Sequence, residues 1–419
     1  MKTRTKMINA TLSLALLAMS GSATAACSLP TGLFSLGVEV NGACQAVSAQ
    51  TAENLFDKLT GVDLKAINTA YTNTAAATLA IGFNSLPITL TAAGNSTTVT
   101  LSIPAIGVNY TQTKATRDDS LSAIVDDIKK NNPNLLSDIM KYQAANSPAS
   151  PITGAGGLIP SAVSSDFNSN FTDSATNIAA PASVASQATS NKSTSNLMGI
   201  ALQYSSLTVG DSKSKVTTLP LSYTYRNDID PRRQLTISLP ITYIDTDGAK
   251  SGIIGLGMSY RFPMNDNWTL TPAFKISGVG SLDMATVAGL TTYSLTSTYI
   301  WALKDFDVAM GNMLSHSSTM KLQAGDYGVD PGISSTAFRN GVMLSQPVEM
   351  GGKRLSVEYS LIDTRYSGTK TFMTDSQEIG ITIGTNKNAF SSRSFLRGGL
   401  SYMTAKNSHG ITFNLGYWF

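Results

Sequence analysis

This chain of 419 residues has little that can do redox or acid–base chemistry: two cysteines and two histidines. Cys27 and Cys44 form no Cys-x-x-Cys motif and have no histidine nearby, which excludes a thiol-redox or zinc site built on them. A charge excess is missing too. There are 30 basic and 27 acidic residues, and three of the basic ones, Lys2, Arg4 and Lys6, lie in the first 25 residues. The rest is balanced, without the basic footprint a nucleic-acid partner requires. Beyond the N-terminus there is no run of 18 apolar residues, which excludes a membrane-spanning helix. Mean hydropathy is +0.03. That balance is compatible with a membrane β-barrel, whose strands alternate apolar and polar residues. No cofactor is expected.

What is present starts with "MKTRTKMINATLSLALLAMSGSATAAC". Basic residues, a short apolar stretch from about Leu12 to Met19, and Ala23-Thr24-Ala25 read as a secretory signal peptide, residues 1–25. Lipid attachment at Cys27 is the rival reading, but Thr24 stands where a lipoprotein signal has a bulky aliphatic residue. Export permits oxidation, so a Cys27–Cys44 disulfide is expected. Its loop of about 16 residues would contribute roughly 3 kcal/mol in the chain-entropy account.

The last residues are "ITFNLGYWF". Ile411, Phe413, Leu415, Tyr417 and Phe419 share one parity, and Thr412, Asn414, Gly416 and Trp418 the other. Period two means a β-strand with one apolar face. The stretch resembles the C-terminal strand of Gram-negative outer-membrane barrels, with a final Phe, an aromatic two residues earlier and alternating apolar residues before it. That resemblance implies localisation in the cell outer membrane. It also implies that these five residues form an assembly signal. The implied partners are the barrel assembly machinery, outer-membrane lipid and lipopolysaccharide.

Three regions follow the signal. Residues 26–144 mix helix and strand signals. "AENLFDKLTGVDLKAINTAY" reads as short helices, and "LPITLTAAGNSTTVTLSIPA" as a hairpin turning near Gly94-Asn95. "DDSLSAIVDDIKK" predicts a helix capped by Asp119 or Ser120, with Leu121, Ile124, Val125 and Ile128 on one face. A second helix is expected after Pro133. Residues 145–195 are Ala, Ser, Asn, Thr and Pro with few large apolar side chains, and are expected to be a flexible linker. Residues 196–419 divide into about twelve alternating segments, each long enough for a tilted membrane strand.

The fold expected is therefore an all-β transmembrane antiparallel barrel of about twelve strands behind a small α+β region. "LTISLPITY" puts Leu235, Ile237, Leu239, Ile241 and Tyr243 outward and Thr236, Ser238 and Thr242 inward. The inward set is expected to be small and polar. Pro220, Pro240, Pro272 and Pro347 fall inside strands, where bulges or shifted limits are expected. With both barrel ends periplasmic, even-numbered connections face the periplasm. They are expected to be short and the odd ones longer. Parity turns Arg261, Lys275, Arg339, Glu358, Glu378, Arg393 and Arg397 into the lumen, as a stiffening ion network or a weakly selective polar path.

Catalytic motifs are weak. Ser315 beside His316 invites comparison with outer-membrane phospholipases, a lipid hydrolase being the remote alternative. Neighbouring strand residues point to opposite faces, however, so the pair makes a poor dyad. His409 reads as a solvated loop-end residue. "GIIGLG" (252–257) has no helix after it and reads as lumen glycine. Asp326 and Asp330 read as a turn before a calcium site. No enzyme activity is expected.

Two functions remain. One is a channel or exporter for a solute or an unfolded polypeptide, gated or plugged by a periplasmic N-terminal region. Its layout resembles the amyloid-subunit secretion channels, without their heptad pattern. The other is a surface display or adhesion protein similar to autotransporters, with residues 145–195 threading the lumen. That family has a helix before the first strand, which Pro181 and the Ser/Asn/Thr content argue against here.

Overall fold

The computed structural model of the protein describes residues 27–128, 132–172, 196–227, 229–230, 232–324, 327–385 and 395–418. The expected signal peptide, the second half of the expected linker, Asp326, Arg393 and Phe419 lie outside them.

The N-terminal domain is a six-stranded antiparallel sheet. Its strands are β1 (Phe34–Val40), β2 (Ala43–Ala49), β3 (Ala77–Phe83), β4 (Leu86–Ala92), β5 (Thr98–Ile103) and β6 (Val108–Thr113), in the order β2-β1-β3-β4-β5-β6. Alternation builds its core. Leu79, Ile81 and Phe83 of β3 and Leu86, Ile88 and Leu90 of β4 point to one buried face. Helices α1 (Ala52–Asp57), α2 (Gly61–Ile67), α3 (Arg117–Asp126) and α4 (Pro133–Asn146) supply the other side of the core. Leu121, Ile124 and Ile128 are buried as their spacing predicts. The cap of α3 is Thr116, not Asp119 or Ser120. Asp119 sits at the third helical position and closes a capping box with Thr116, which satisfies two otherwise orphaned amides. Cys27 and Cys44 are joined, with their Cα atoms 5.6 Å apart.

Helix α5 (Leu158–Phe167), extended by a π-helical turn over Asn168–Thr172, follows. Next comes a closed barrel of twelve antiparallel strands. These are β7 (Leu197–Val209), β8 (Ser212–Arg226), β9 (Gln234–Thr246), β10 (Ala249–Pro263), β11 (Trp268–Ser281), β12 (Thr286–Ala302) and β13 (Asp307–Met320), then β16 (Ser334–Met350), β17 (Lys353–Gly368), β18 (Asp375–Thr385), β19 (Phe395–Ala405) and β20 (Ser408–Trp418). Between β13 and β16, β14 (Leu322–Ala324) and β15 (Tyr327–Val329) form a small separate hairpin. Strand β20 pairs with β7, Trp418 opposite Gly199, and this closes the cylinder so that it has no free edge.

The outward faces are those the alternation predicts. Ile237, Ile241 and Tyr243, like Ile254, Leu256 and Met258, are exposed around the barrel, and Ile411, Phe413, Leu415 and Tyr417 join them. Aromatic residues flank this apolar band, as at a membrane interface. The closed barrel thus presents an outward apolar band of the kind a membrane-spanning barrel turns to a bilayer. Strands of 11 to 17 residues are long enough to cross it at a tilt.

Two expectations about the strands fail. None of the four prolines makes a bulge. Pro220 stands directly opposite Pro240, and pairing on the two sides of each keeps one register. The ladder skips two pairs between β7 and β8 beside Pro220, and two between β9 and β10 beside Pro240. A proline withholds an N–H from one neighbour only, so the two missing donors face away from each other and the shared register survives. Loop length is also not asymmetric. Gly210-Asp211, Asp247-Gly248 and Lys406-Asn407 make tight odd connections, while residues 227–233 form a longer even one. At the odd turns, Asp247 and Asn407 carry the positive φ that such short hairpins demand.

Candidate functional site

The barrel has two distinct ends. Strand β7 begins and β20 finishes at the terminal end, which also carries the even connections. The N-terminal domain sits on the other end, against the odd connections. The Ala52 amide donates to the Asp283 carbonyl at 2.8 Å, and the Phe372 amide to the Ala144 carbonyl at 2.7 Å. Met284 is buried in the core of the domain, as is Ala249. Pro148 lies on Gly210. A periplasmic N-terminal region and periplasmic even connections are therefore geometrically incompatible.

From this domain end the chain turns into the lumen. Residues 145–172, read from composition as part of a flexible linker, are ordered. Leu158, Ile159, Ala162, Val163, Phe167 and Phe171 fall on one buried helical stripe. Pro160 lies in the first turn of α5, where its absent N–H is not needed. The composition argument fails because this helix requires no core of its own. The barrel wall supplies the second surface.

That wall has two zones. At the domain end, inward Leu207, Val216, Ile244, Ile253, Val279 and Leu290 form one buried cluster with Ile152, Leu158, Ile159 and Val163. The expectation of a uniformly small, polar inner face is corrected here, because these positions meet the entering chain rather than water. Ile253 and Ile254 are adjacent apolar residues, and that break in alternation was the available signal. Toward the terminal end the wall becomes hydroxyl-rich, with Ser222, Ser238, Ser360, Thr382, Ser401 and Thr412. There a cavity of about 310 Å³ remains beside the helix.

The lumen charges run from the junction of these zones, at Lys275 and Arg339, into the hydroxyl-rich terminal zone, at Arg397 and Arg261. Lys275 Nζ is 2.5 Å from Asp166 Oδ1 on α5 and donates to Ser165 Oγ at 3.0 Å. Asp166 Oδ2 also accepts from Ser294 Oγ at 3.1 Å. Arg339 Nη1 is 2.9 Å from Glu378 Oε1 and donates to Thr364 Oγ1 at 2.7 Å. Its guanidinium carbon lies 5.2 Å from the Phe167 ring centre. Glu358 and Arg397 form a close buried pair, with Ser356 donating to Glu358. Arg261 donates to Gln234 Oε1 at 2.8 Å, near the terminal end. Lys275 and Arg339 thus grip the helix, whereas Glu358–Arg397 faces the open part of the lumen. Buried charges demand such partners, since an uncompensated one costs several kcal/mol, of the order of 3–5.

Two glycines shape the seat. A Cβ on Gly311 would collide with the Phe171 ring, and one on Gly341 would lie 2.9 Å from Cζ of Phe167. The phenyl rings, 4.9 Å apart, fill the space that side chains would take. Asp166, Phe167, Phe171, Gly311 and Gly341 were missed in the sequence. Phe167 and Phe171 at i, i+4 were the visible clue.

The remaining candidates separate. Ser315 is buried inside the wall, while His316 is on the outer face, bonded through Nδ1 to Thr336 Oγ1 at 3.0 Å. Asp330 accepts from Thr319 Oγ1 and from the Gly332 amide, both at 2.8 Å, as a turn residue does. "GIIGLG" lies within β10, and His409 is on β20 at the domain end.

No protein-family profile and no curated protein matches the sequence. Solved structures do. The β domain of the Bordetella autotransporter BrkA is 13% identical, covering 54% of this chain and 98% of that one, with a TM-score of 0.42. The translocator domain of autotransporter NalP from Neisseria meningitidis is 13% identical, covering 62% and 97%, with a TM-score of 0.43. The KdgM porin is 10% identical, covering 53% and 98%, with a TM-score of 0.32. The likeness is one of barrel architecture alone.

Proposed function

We propose that this protein is an autotransporter-like display protein. In this reading the barrel holds its own N-terminal domain at the cell surface, and residues 147–172 pass from that domain into the lumen. The observation that carries it is the chain path. The domain rests on the end opposite to the one where β7 starts and β20 stops. If the barrel's two ends lie in the periplasm, as expected for an even-stranded barrel, the domain lies outside.

The outer face supports the same orientation. At the terminal end the aromatic belt abuts the turns, as at Tyr225, Phe262 and Trp301. At the domain end the strands run on past it, with Lys213, Lys215, Asp245 and Lys250 on the outer parity. Charged residues there belong in an aqueous or headgroup layer, because facing lipid they would cost about 2–4 kcal/mol near the midplane.

The test is antibody labelling of intact cells carrying an epitope in the exposed Gly94-Asn95 turn. Labelling without permeabilisation is expected. Labelling only after the outer membrane is opened would place the domain in the periplasm. The second reading, a channel closed by its own N-terminal part, would then take over. That reading draws on the cavity left beside α5, walled in part by hydroxyl side chains, and an exported polypeptide or a small solute would be its cargo.

A further inference from the structure

We propose that the outer face of β12, β13, β16 and β17 is a contact surface for a second copy of this chain within the membrane. The observation is a pair of asparagines. Asn312 on β13 and Asn340 on β16 are directly opposed in the register, and both are exposed on the outward parity. Along their strands each is flanked by exposed apolar residues, Met310 and Leu314 on one side of the pair and Phe338 and Val342 on the other. The two amides therefore lie inside the apolar band, not at its rim.

The same row continues across the sheet, and there the polar groups are satisfied. Ser297, opposite Asn312 on β12, accepts from the Trp268 indole at 2.9 Å. Asp363, opposite Asn340 on β17, accepts from Gln377 at 2.9 Å and from Arg365 at 3.0 Å. Neither Asn312 nor Asn340 has a side-chain hydrogen bond among the described residues. On the opposite wall, six strands from β13, the band is unbroken, with Ile200, Leu202 and Tyr204 on β7.

A primary amide facing hydrocarbon without a partner costs several kcal/mol. Even a bond between the two opposed amides leaves further N–H and carbonyl capacity facing lipid tails, which can neither donate nor accept, so full relief needs a protein surface that presents a polar group at the same depth. A second copy inserted in the same direction does so automatically. An amide both donates and accepts, so it complements itself. A two-fold axis along the membrane normal then makes the contact isologous, with each asparagine pair facing its equivalent. The inference needs only the membrane-spanning barrel and not the side on which the domain lies.

The experiment uses the full-length protein in outer membranes, with cysteines placed by Val342→Cys or, on the far wall, Leu202→Cys. A short bifunctional maleimide should join V342C chains into a homodimer and leave L202C chains monomeric. Adding N312L and N340L to V342C should abolish the dimer, while heat-modifiable mobility stays that of the folded barrel. In detergent, the mass of the native protein should correspond to two chains and that of the N312L/N340L variant to one. No V342C homodimer, equal cross-linking of both positions, a dimer that survives N312L/N340L, or cross-linking only to a different protein would each overturn the proposal. Because leucine on a lipid-facing strand is compatible with folding, a variant that fails to assemble would also count against it: the asparagines would then serve the barrel itself.

Discussion

Lys275 of the barrel wall and Asp166 of the lumen helix form an ion pair 2.5 Å long with both side chains almost wholly enclosed. It ties two parts of the chain that are distant in sequence, and neither residue can be removed alone without stranding the other charge. Asp166→Asn should therefore destabilise the helix-filled barrel by about 3–5 kcal/mol. The pair Asp166→Leu with Lys275→Met should recover most of that, because apolar replacement of a whole buried pair is often neutral. A double-mutant cycle on the heat-modifiable mobility transition measures it. Additive effects would mean the two charges do not interact.

Gly311→Val should unseat the helix. The new side chain occupies the position of the Phe171 ring. Overpacking of a filled site costs about 1–3 kcal/mol. In planar bilayers the variant is expected to conduct more than the native protein, and Phe171→Ala in the same chain should partly restore the native level. Conductance identical to native would show that the ring can move aside.

The N-terminal domain should weaken in alkali. Burial, with Asp127 beside it, pushes the Tyr110 hydroxyl up to about 12. Its oxygen is enclosed without a hydrogen-bond partner. The folded state thus favours the neutral phenol. Its contribution is intact below the ordinary value of 10.0 and is lost as pH rises through about 12. Tyr110→Phe should flatten that part of the pH profile and add roughly 1 kcal/mol at neutral pH by removing an unpaired buried hydroxyl. Thermal unfolding of the full-length protein between pH 7 and about 12 reads both, and a profile unchanged by the substitution rejects the assignment.

Deleting Phe419, or replacing it with a polar residue, should lower the amount of assembled protein in the outer membrane. The alternating run from Ile411 motivates this, since Ile411, Phe413, Leu415 and Tyr417 form one outward face on the closing strand. Unaltered abundance and heat-modifiable mobility of the variant would refute a role for the final residue in assembly.

The barrel was legible in the sequence because period two is a local property. Strand β9, with Leu235, Ile237, Ile241 and Tyr243 on one parity, needs only its own alternation to choose a face. The inward placement of Lys275, Arg339 and Glu358 follows from the same parity. The domain's hairpin around Gly94-Asn95 and the buried face of α3 were equally local, being set by turn chemistry and by i, i+3, i+4 spacing. What could not be read there was whatever depends on a surface supplied from far away. Residues 158–172 carry too little apolar area to fold alone, and composition alone called them a linker. Inside the lumen, the wall glycines 311 and 341, the aliphatic residues at the domain end and Lys275 complete a site around them. The end of the barrel that the domain covers is likewise invisible in the sequence. It is decided by packing such as Met284 in the domain core, where a residue of a barrel turn finds its apolar partners more than 100 residues away in the chain. Local periodicity determined which face each strand turns to lipid, and only tertiary packing decided what fills the space those strands enclose.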